Sequence, residues 1–137
     1  MVNTTINQTF AELINKLKFN NDGLIPVIAQ SHDSLEVLMM AWMNLDAIIE
    51  TLQTGRVCYY SRSRQKLWRK GESSGQIQTL KNFRIDCDAD TILLLVEQVG
   101  VACHTGRRTC FFEEVLKNGR IKILADVLKN PNDLYGK

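Results

Sequence analysis

Apolar side chains recur at Phe10, Leu13, Ile14 and Leu17, the three-and-four spacing of one helical face, so residues 8–18 predict a short amphipathic helix. The run Asn20-Asn21-Asp22-Gly23 ends it with turn chemistry. Two apolar runs follow, Leu24 to Gln30 and Leu35 to Trp42, separated by the polar turn Ser31-His32-Asp33-Ser34, and together they predict a hairpin. Asn44 is a good N-cap for a helix from Leu45 to about Thr54, Asp46 suits its first turn, and Gly55 sits at the stop position. Val57 to Ser61 is strand-like. Ile77 to Asp86 and Thr91 to Val99 predict two more strands, and Phe111–Leu116 with Arg120–Leu124 flank Lys117-Asn118-Gly119, a strong hairpin signal.

Three stretches lack such periodicity. Arg62 to Gly75 is polar, basic and rich in Ser and Gly, and reads as a long loop of the kind that carries function. Gly100 to Thr109 is a turn or loop holding two cysteines and a histidine, and the tail from Ala125 is expected to start helical and end disordered. Strands in runs with two or three helices predict an α+β fold. At 137 residues, with no repeat and no linker-like proline cluster, the chain predicts a single domain over residues 1–137.

Composition narrows the compartment more than the function. A net charge of +2 forces neither a nucleic-acid nor a membrane partner, so any basic site must be local. No apolar run approaches the length of a membrane span, and the N-terminus lacks the pattern of a secretory signal, which predicts a cytoplasmic protein. Four cysteines in that setting are thiols or metal ligands rather than disulfides.

Four constellations could carry chemistry. Cys87, Cys103 and Cys110 offer three thiolates, and a zinc ion held by three protein ligands keeps a position open for catalysis. There is no C-x-x-C pair, so a zinc knuckle is not indicated, and Cys87 must come from another part of the fold or from another subunit. Spacing alone leaves the plainer reading open, that the three are buried apolar residues. Cys58, inside Val57-Cys58-Tyr59, reads as core. In Asp86-Cys87-Asp88-Ala89-Asp90 an extended chain would point three carboxylates one way, a natural set for a hard divalent cation such as magnesium, or else a solvated acidic turn. The loop with Arg62, Arg64, Lys66, Trp68, Arg69 and Lys70, followed by Gly71-Glu72-Ser73-Ser74-Gly75, has the groups to hold phosphate and to stack a base, though charge runs are most often simply solvated. His104, beside Cys103, is a candidate metal ligand or proton carrier, or a surface histidine; His32 has no such company.

Taken together, Tyr60-Ser61-Arg62-Ser63-Arg64, Leu67 to Gly75, Asp86 to Asp90 and Cys103-His104-Thr105-Gly106-Arg107-Arg108-Thr109-Cys110-Phe111 strongly resemble the phosphoribosyl-AMP cyclohydrolase family of histidine biosynthesis, in the family's order, over about residues 23–112. The chain is too short to include the fused pyrophosphohydrolase domain of some relatives, so the resemblance implies the cyclohydrolase step alone.

The resemblance implies an intertwined homodimer in which Cys87 of one subunit joins Cys103 and Cys110 of the other around zinc, with Asp86, Asp88 and Asp90 on magnesium. It implies the third step of histidine biosynthesis: hydrolytic opening of the adenine ring of 1-(5-phosphoribosyl)-AMP at N1–C6, giving the phosphoribosyl-formimino aminoimidazole carboxamide ribotide without release of ammonia. On that reading His104 is the expected catalytic proton carrier. Arg62, Arg64, Lys70, Ser73 and Ser74 are expected to grip phosphate, with Trp68 against the substrate. Two readings from other classes compete: a zinc-stabilised binding module whose basic loop holds RNA or single-stranded DNA, and a redox protein using its thiols. The first leaves the three aspartates unexplained, and the second lacks a C-x-x-C pair.

Overall fold

The computed structural model describes residues 8–135. The N-terminal periodicity becomes α1 (Ala11–Lys16), shorter than predicted, with helical turns at residues 8–9 before it. The predicted hairpin is β1 (Ile25–Ser31) and β2 (Val37–Met43), antiparallel from Ile25↔Met43 to Gln30↔Val37 with a bulge between Ala29 and Gln30. Leu35 belongs to the turn and not to β2, because its backbone adopts a left-handed φ of 66° that a strand cannot continue.

The next helix, α2 (Leu45–Thr54), forms as its signals require. The Asn44 side chain accepts from the Ala47 N–H at 2.9 Å, and Gly55 closes the helix in the left-handed region, its N–H donating to the Thr51 carbonyl. Ala47, Ile48 and Ile49 turn inward.

Two further strands, β5 (Gln78–Ile85) and β6 (Ile92–Gln98), pair antiparallel, and β6 runs parallel to β1, from Val27↔Ile92 to Ser31↔Val96. The sheet order is therefore β2-β1-β6-β5, with β1 and β6, the strands that bury the most residues, inside. Along β1 every second residue is buried, and β6 buries Ile92, Leu94, Leu95 and Val96. These side chains, with Leu38, Met43, Ile48, Val57, Cys58 and Tyr59, make the core.

The stretch expected to be one long loop is partly a second sheet: β3 (Cys58–Ser61) and β4 (Lys66–Arg69) pair with Tyr59 opposite Trp68. Lys66-Leu67-Trp68-Arg69 places its two apolar residues side by side and does not alternate, and its turn lacks an Asn-Gly pair, so the strand signal is weak. The irregular loop is confined to residues 70–77. Residue Thr51 ties α2 to β3, its Oγ1 accepting from the Cys58 N–H at 2.9 Å and donating to the Cys58 carbonyl at 3.2 Å. Glu50 and Arg69 tie α2 to β4 by two 2.7 Å contacts.

The last hairpin, β7 (Glu113–Val115) with β8 (Ile121–Ile123), forms around Asn118-Gly119 as predicted. The tail reverses the expectation. Residues 125–130 are irregular and the helix comes after them, α3 (Pro131–Tyr135), where proline is tolerated at a first turn. Backbone bonds from Leu128 and Lys129 to the Gly106 carbonyl hold this segment against the Cys103–Cys110 loop. Among the described residues no helix is long and apolar enough to cross a membrane.

Candidate active site

The loop from Gly100 to Cys110 is stitched to its surroundings at several points. Backbone bonds Ala102 to Arg108, Cys103 to Arg107 and Gly106 to Cys103 fold it on itself. The Cys110 N–H donates to the Leu38 carbonyl at 2.7 Å, and the Thr109 hydroxyl donates to the Val37 carbonyl at the same distance, so β2 fixes the end of the loop. Both arginines of this motif are structural. Arg108 reaches Glu36 at 3.1 Å and the Gly100 carbonyl, while Arg107 donates to the Ala125 carbonyl and lies over the Phe112 ring at 4.1 Å.

This scaffold apposes two thiols. Cys103 is buried, and its sulfur accepts from the Thr105 hydroxyl at 3.1 Å. Cys110 keeps exposed surface, yet the protein around it pushes its thiol up to about 12, with the adjacent Cys103 sulfur adding to the rise. Two sulfurs so close disfavour each other's negative charge, and a cation between them would reverse that. Soft sulfur donors suit zinc. Cys87 lies apart, exposed on the turn between β5 and β6, and the three sulfurs do not converge within one chain. Cys58 is fully buried against the Tyr59 carbonyl, its thiol pushed up to about 12 by burial, as its core assignment requires.

The three aspartates do converge: carboxylate oxygens of Asp86, Asp88 and Asp90 lie within 4.8 Å of one another. The reason differs from strand alternation. The segment is a turn, with Ala89 at φ 61° and the Asp86 carboxylate accepting from the N–H groups of Asp90 at 3.0 Å and Thr91 at 3.3 Å. Slight burial pushes Asp86 up, but these bonds and those from its neighbours outweigh it and hold the carboxyl below its ordinary range. Asp90 is displaced upward, chiefly through its hydrogen bond with Asp88. Crowded carboxylates of this kind fit a hard cation.

Beside the thiol pair opens a cleft of about 390 Å³ lined by Arg64, Trp68, Arg69, Lys70, Gly71, Glu72, Ser73, Ser74 and His104. The structure thus brings His104 together with five of the six residues expected to meet substrate. The sixth, Arg62, lies elsewhere, 4.7 Å over the Trp42 ring in a second, shallower cleft with Tyr60, Ser61 and Ser63. Trp68 borders both clefts, its ring 5.1 Å from that of the buried Tyr59. The Tyr59 hydroxyl donates to Gln78 Oε1 at 2.6 Å and Gln78 donates to Gln98, a buried polar chain between the second sheet and the main one. Sequence reasoning missed Trp42 and Tyr60, which sit in apolar strands and look like core.

The basic run is not a continuous charged strip. Arg69 is paired with Glu50 and Lys70 is buried, which removes the main support for a nucleic-acid surface.

Two apposed thiols, a histidine and a basic, hydroxyl-rich cleft on a small α+β scaffold make up an enzyme site rather than a structural zinc knuckle. Comparison with known proteins agrees. Residues 39–112 match the model of the phosphoribosyl-AMP cyclohydrolase family. A phosphoribosyl-AMP cyclohydrolase of Rhodospirillum rubrum is 60% identical over 136 residues, covering 99% of this chain and 95% of that protein. Those of Alcanivorax borkumensis and Rhodospirillum centenum are 62% and 57% identical, covering 92% and 100% of this chain and 88% and 99% of theirs. The chain belongs to the phosphoribosyl-AMP cyclohydrolase family and is a hydrolase of the histidine pathway.

Proposed function

We propose that this enzyme opens the adenine ring of 1-(5-phosphoribosyl)-AMP at the N1–C6 bond by zinc-dependent hydrolysis, as a homodimer in the cytoplasm. The observation that carries this reading is the Cys103–Cys110 thiol pair placed beside His104 and the basic cleft. Cys103, Cys110 and the partner's Cys87 would hold zinc, whose chemistry when bound is to bring the pKa of water from 15.7 to roughly 7. His104 is exposed at the cleft wall, free to pass a proton to N1 as the ring opens. Because N1 is the leaving nitrogen, the exocyclic nitrogen stays as the carboxamide and no ammonia forms.

The substrate carries a phosphate at each end, and the protein offers two clefts on either side of Trp68. Arg64, Ser73 and Ser74 suit one phosphate, Arg62 the other, and Trp68 the base between them. Asp86, Asp88 and Asp90 would hold magnesium, a hard ion for hard ligands.

Two observations support a dimer with a shared site. Cys87 stands exposed and away from the thiol pair. The β7–β8 hairpin shows solvent an apolar face, with Val115 72% and Ile121 60% exposed, and a two-stranded hairpin with nothing packed on it is marginal in water. A second copy would cover that face. The direct test is ultraviolet-monitored ring opening with metal analysis: turnover that a chelator abolishes and zinc restores supports the reading, and full turnover by zinc-free protein refutes it.

A further inference from the structure

Two loops meet at the cleft, and one buried side chain joins them. Residues 70–77 bring Ser73 and Ser74 to its wall, and the loop from Gly100 to Cys110 brings His104. The first loop is held to one path. Gly71 has φ +86° and no room for a Cβ, which would lie 2.6 Å from the Ile77 nitrogen, and the Gly75 N–H donates to the Gly71 carbonyl at 2.8 Å. Near the end of that loop, Gln76 is 8% exposed. A buried amide needs both its donor and its acceptor met. Gln76 Oε1 accepts from the Val101 N–H at 3.0 Å, and Nε2 donates to the Ser74 carbonyl at 3.2 Å. One partner can only donate and the other only accept, so the amide has a single orientation. The Gln76 backbone N–H also donates to Ser74 Oγ at 3.2 Å, which leaves the hydroxyl its own proton to give to an anion.

The far side is fitted to the same amide. Gly100 has φ +65°, and a Cβ there would run into the Gln76 side chain. Gln98 Nε2 donates to the Val99 carbonyl at 2.8 Å and to the Gln76 carbonyl at 3.2 Å, holding the two backbones together. Val101, Ala102 and Cys103 are all buried, so a shift at the Val101 N–H passes along a packed segment to His104.

We propose that Gln76 is a positioning residue for the hydrolysis. Its amide sets the Ser74 hydroxyl and the Cys103–His104 segment at a fixed separation across the cleft, so that a substrate gripped at its phosphate meets the reacting groups in register. The proposal rests on the reading above, in which Ser74 meets phosphate and His104 carries a proton. The two halves of the amide act on different constants. The Val101 bond governs turnover, because it places the loop that bears the reacting groups. The Ser74 bond governs binding, because it steadies a phosphate donor.

The test measures kcat and KM for 1-(5-phosphoribosyl)-AMP at saturating zinc, with urea midpoints to show that each variant folds. Gln76→Leu loses both bonds. It is expected to lower kcat about 10- to 100-fold, the scale of a misplacement of about 1 Å, and to raise KM. Where Gln76→Leu does not fold, Gln76→Asn, too short to span both partners, takes its place. Gln76→Glu at neutral pH keeps an acceptor for the Val101 N–H and loses the donor to Ser74. It should raise KM about 10-fold, the worth of a hydrogen bond to a charged group, with kcat near the unmutated value. Joined to Ser74→Ala, it should raise KM no further than the larger single change does. A merely structural role would lower kcat alike in both Gln76 variants, and that result overturns the proposal. Unchanged kcat and KM in the folded variants overturn it too, as does an additive rise in KM, since the new charge and not the position of Ser74 would then be at work. Ser74→Ala with an unmutated KM fails the phosphate reading instead, and the kcat contrast between the two Gln76 variants still decides the role of Gln76.

Discussion

Single side chains carry the sharpest expectations. His104→Ala should lower kcat by about 10²–10⁴-fold, the range for a positioned proton carrier, and leave zinc content intact; turnover at the unmutated rate removes His104 from the chemistry. Gly71→Ala must strain both a positive φ and a contact with the Ile77 backbone, so it should cost about 1–3 kcal/mol, read from the urea midpoint. The residues proposed to carry chemistry stand out in the sequence because their types are uncommon in combination: three lone cysteines, three spaced aspartates, a histidine beside a thiol. What the sequence hid was which basic residue is free. Lys70 and Arg69 look alike in a charged run, yet one is buried by a glycine-pinned backbone and the other is spent on Glu50.

At the scale of elements, α2 and β4 are joined by that Glu50–Arg69 pair. Arg69 holds the Glu50 carboxyl below its ordinary value. A depressed folded pKa contributes stability above the unfolded value near 4.5 and loses it as pH falls through the folded one. Glu50→Gln should therefore cost at most about 1 kcal/mol at neutral pH, the pair being partly exposed, and the gap to the unmutated protein in urea midpoint should close in strong acid. A gap that stays constant would mean the pair contributes nothing electrostatic. Elements with strong local chemistry were legible: α2 from its Asn44 cap and Gly55 stop, β7–β8 from Asn118-Gly119. The β3–β4 hairpin was not, since its register depends on Trp68 packing on Tyr59, a tertiary contact. The parallel β1–β6 pairing likewise joins strands distant in the chain.

The whole molecule is where one chain falls short of the site proposed for it. Lysine in place of Val115 and Ile121 together should shift the protein toward monomer in sedimentation and lower activity with it, because the proposed dimer places the apolar hairpin face and the shared thiolates in one assembly; an active monomer would separate the two. Nothing in the sequence periodicity marks that face as uncovered, since strands with alternating apolar residues look the same whether the layer above is their own core or a second copy.

The most direct measurement is complementation between two inactive variants. Cys87→Ser and Cys103→Ser are each expected to be inactive alone. Unfolded and refolded together, they should regain roughly a quarter of the unmutated activity, because half of the dimers formed at random are mixed and each carries one intact site. Their product should be the ring-opened nucleotide, with no ammonia released. Mixtures that stay inactive while forming mixed dimers, or single variants that remain fully active, would contradict a zinc site shared across the dimer.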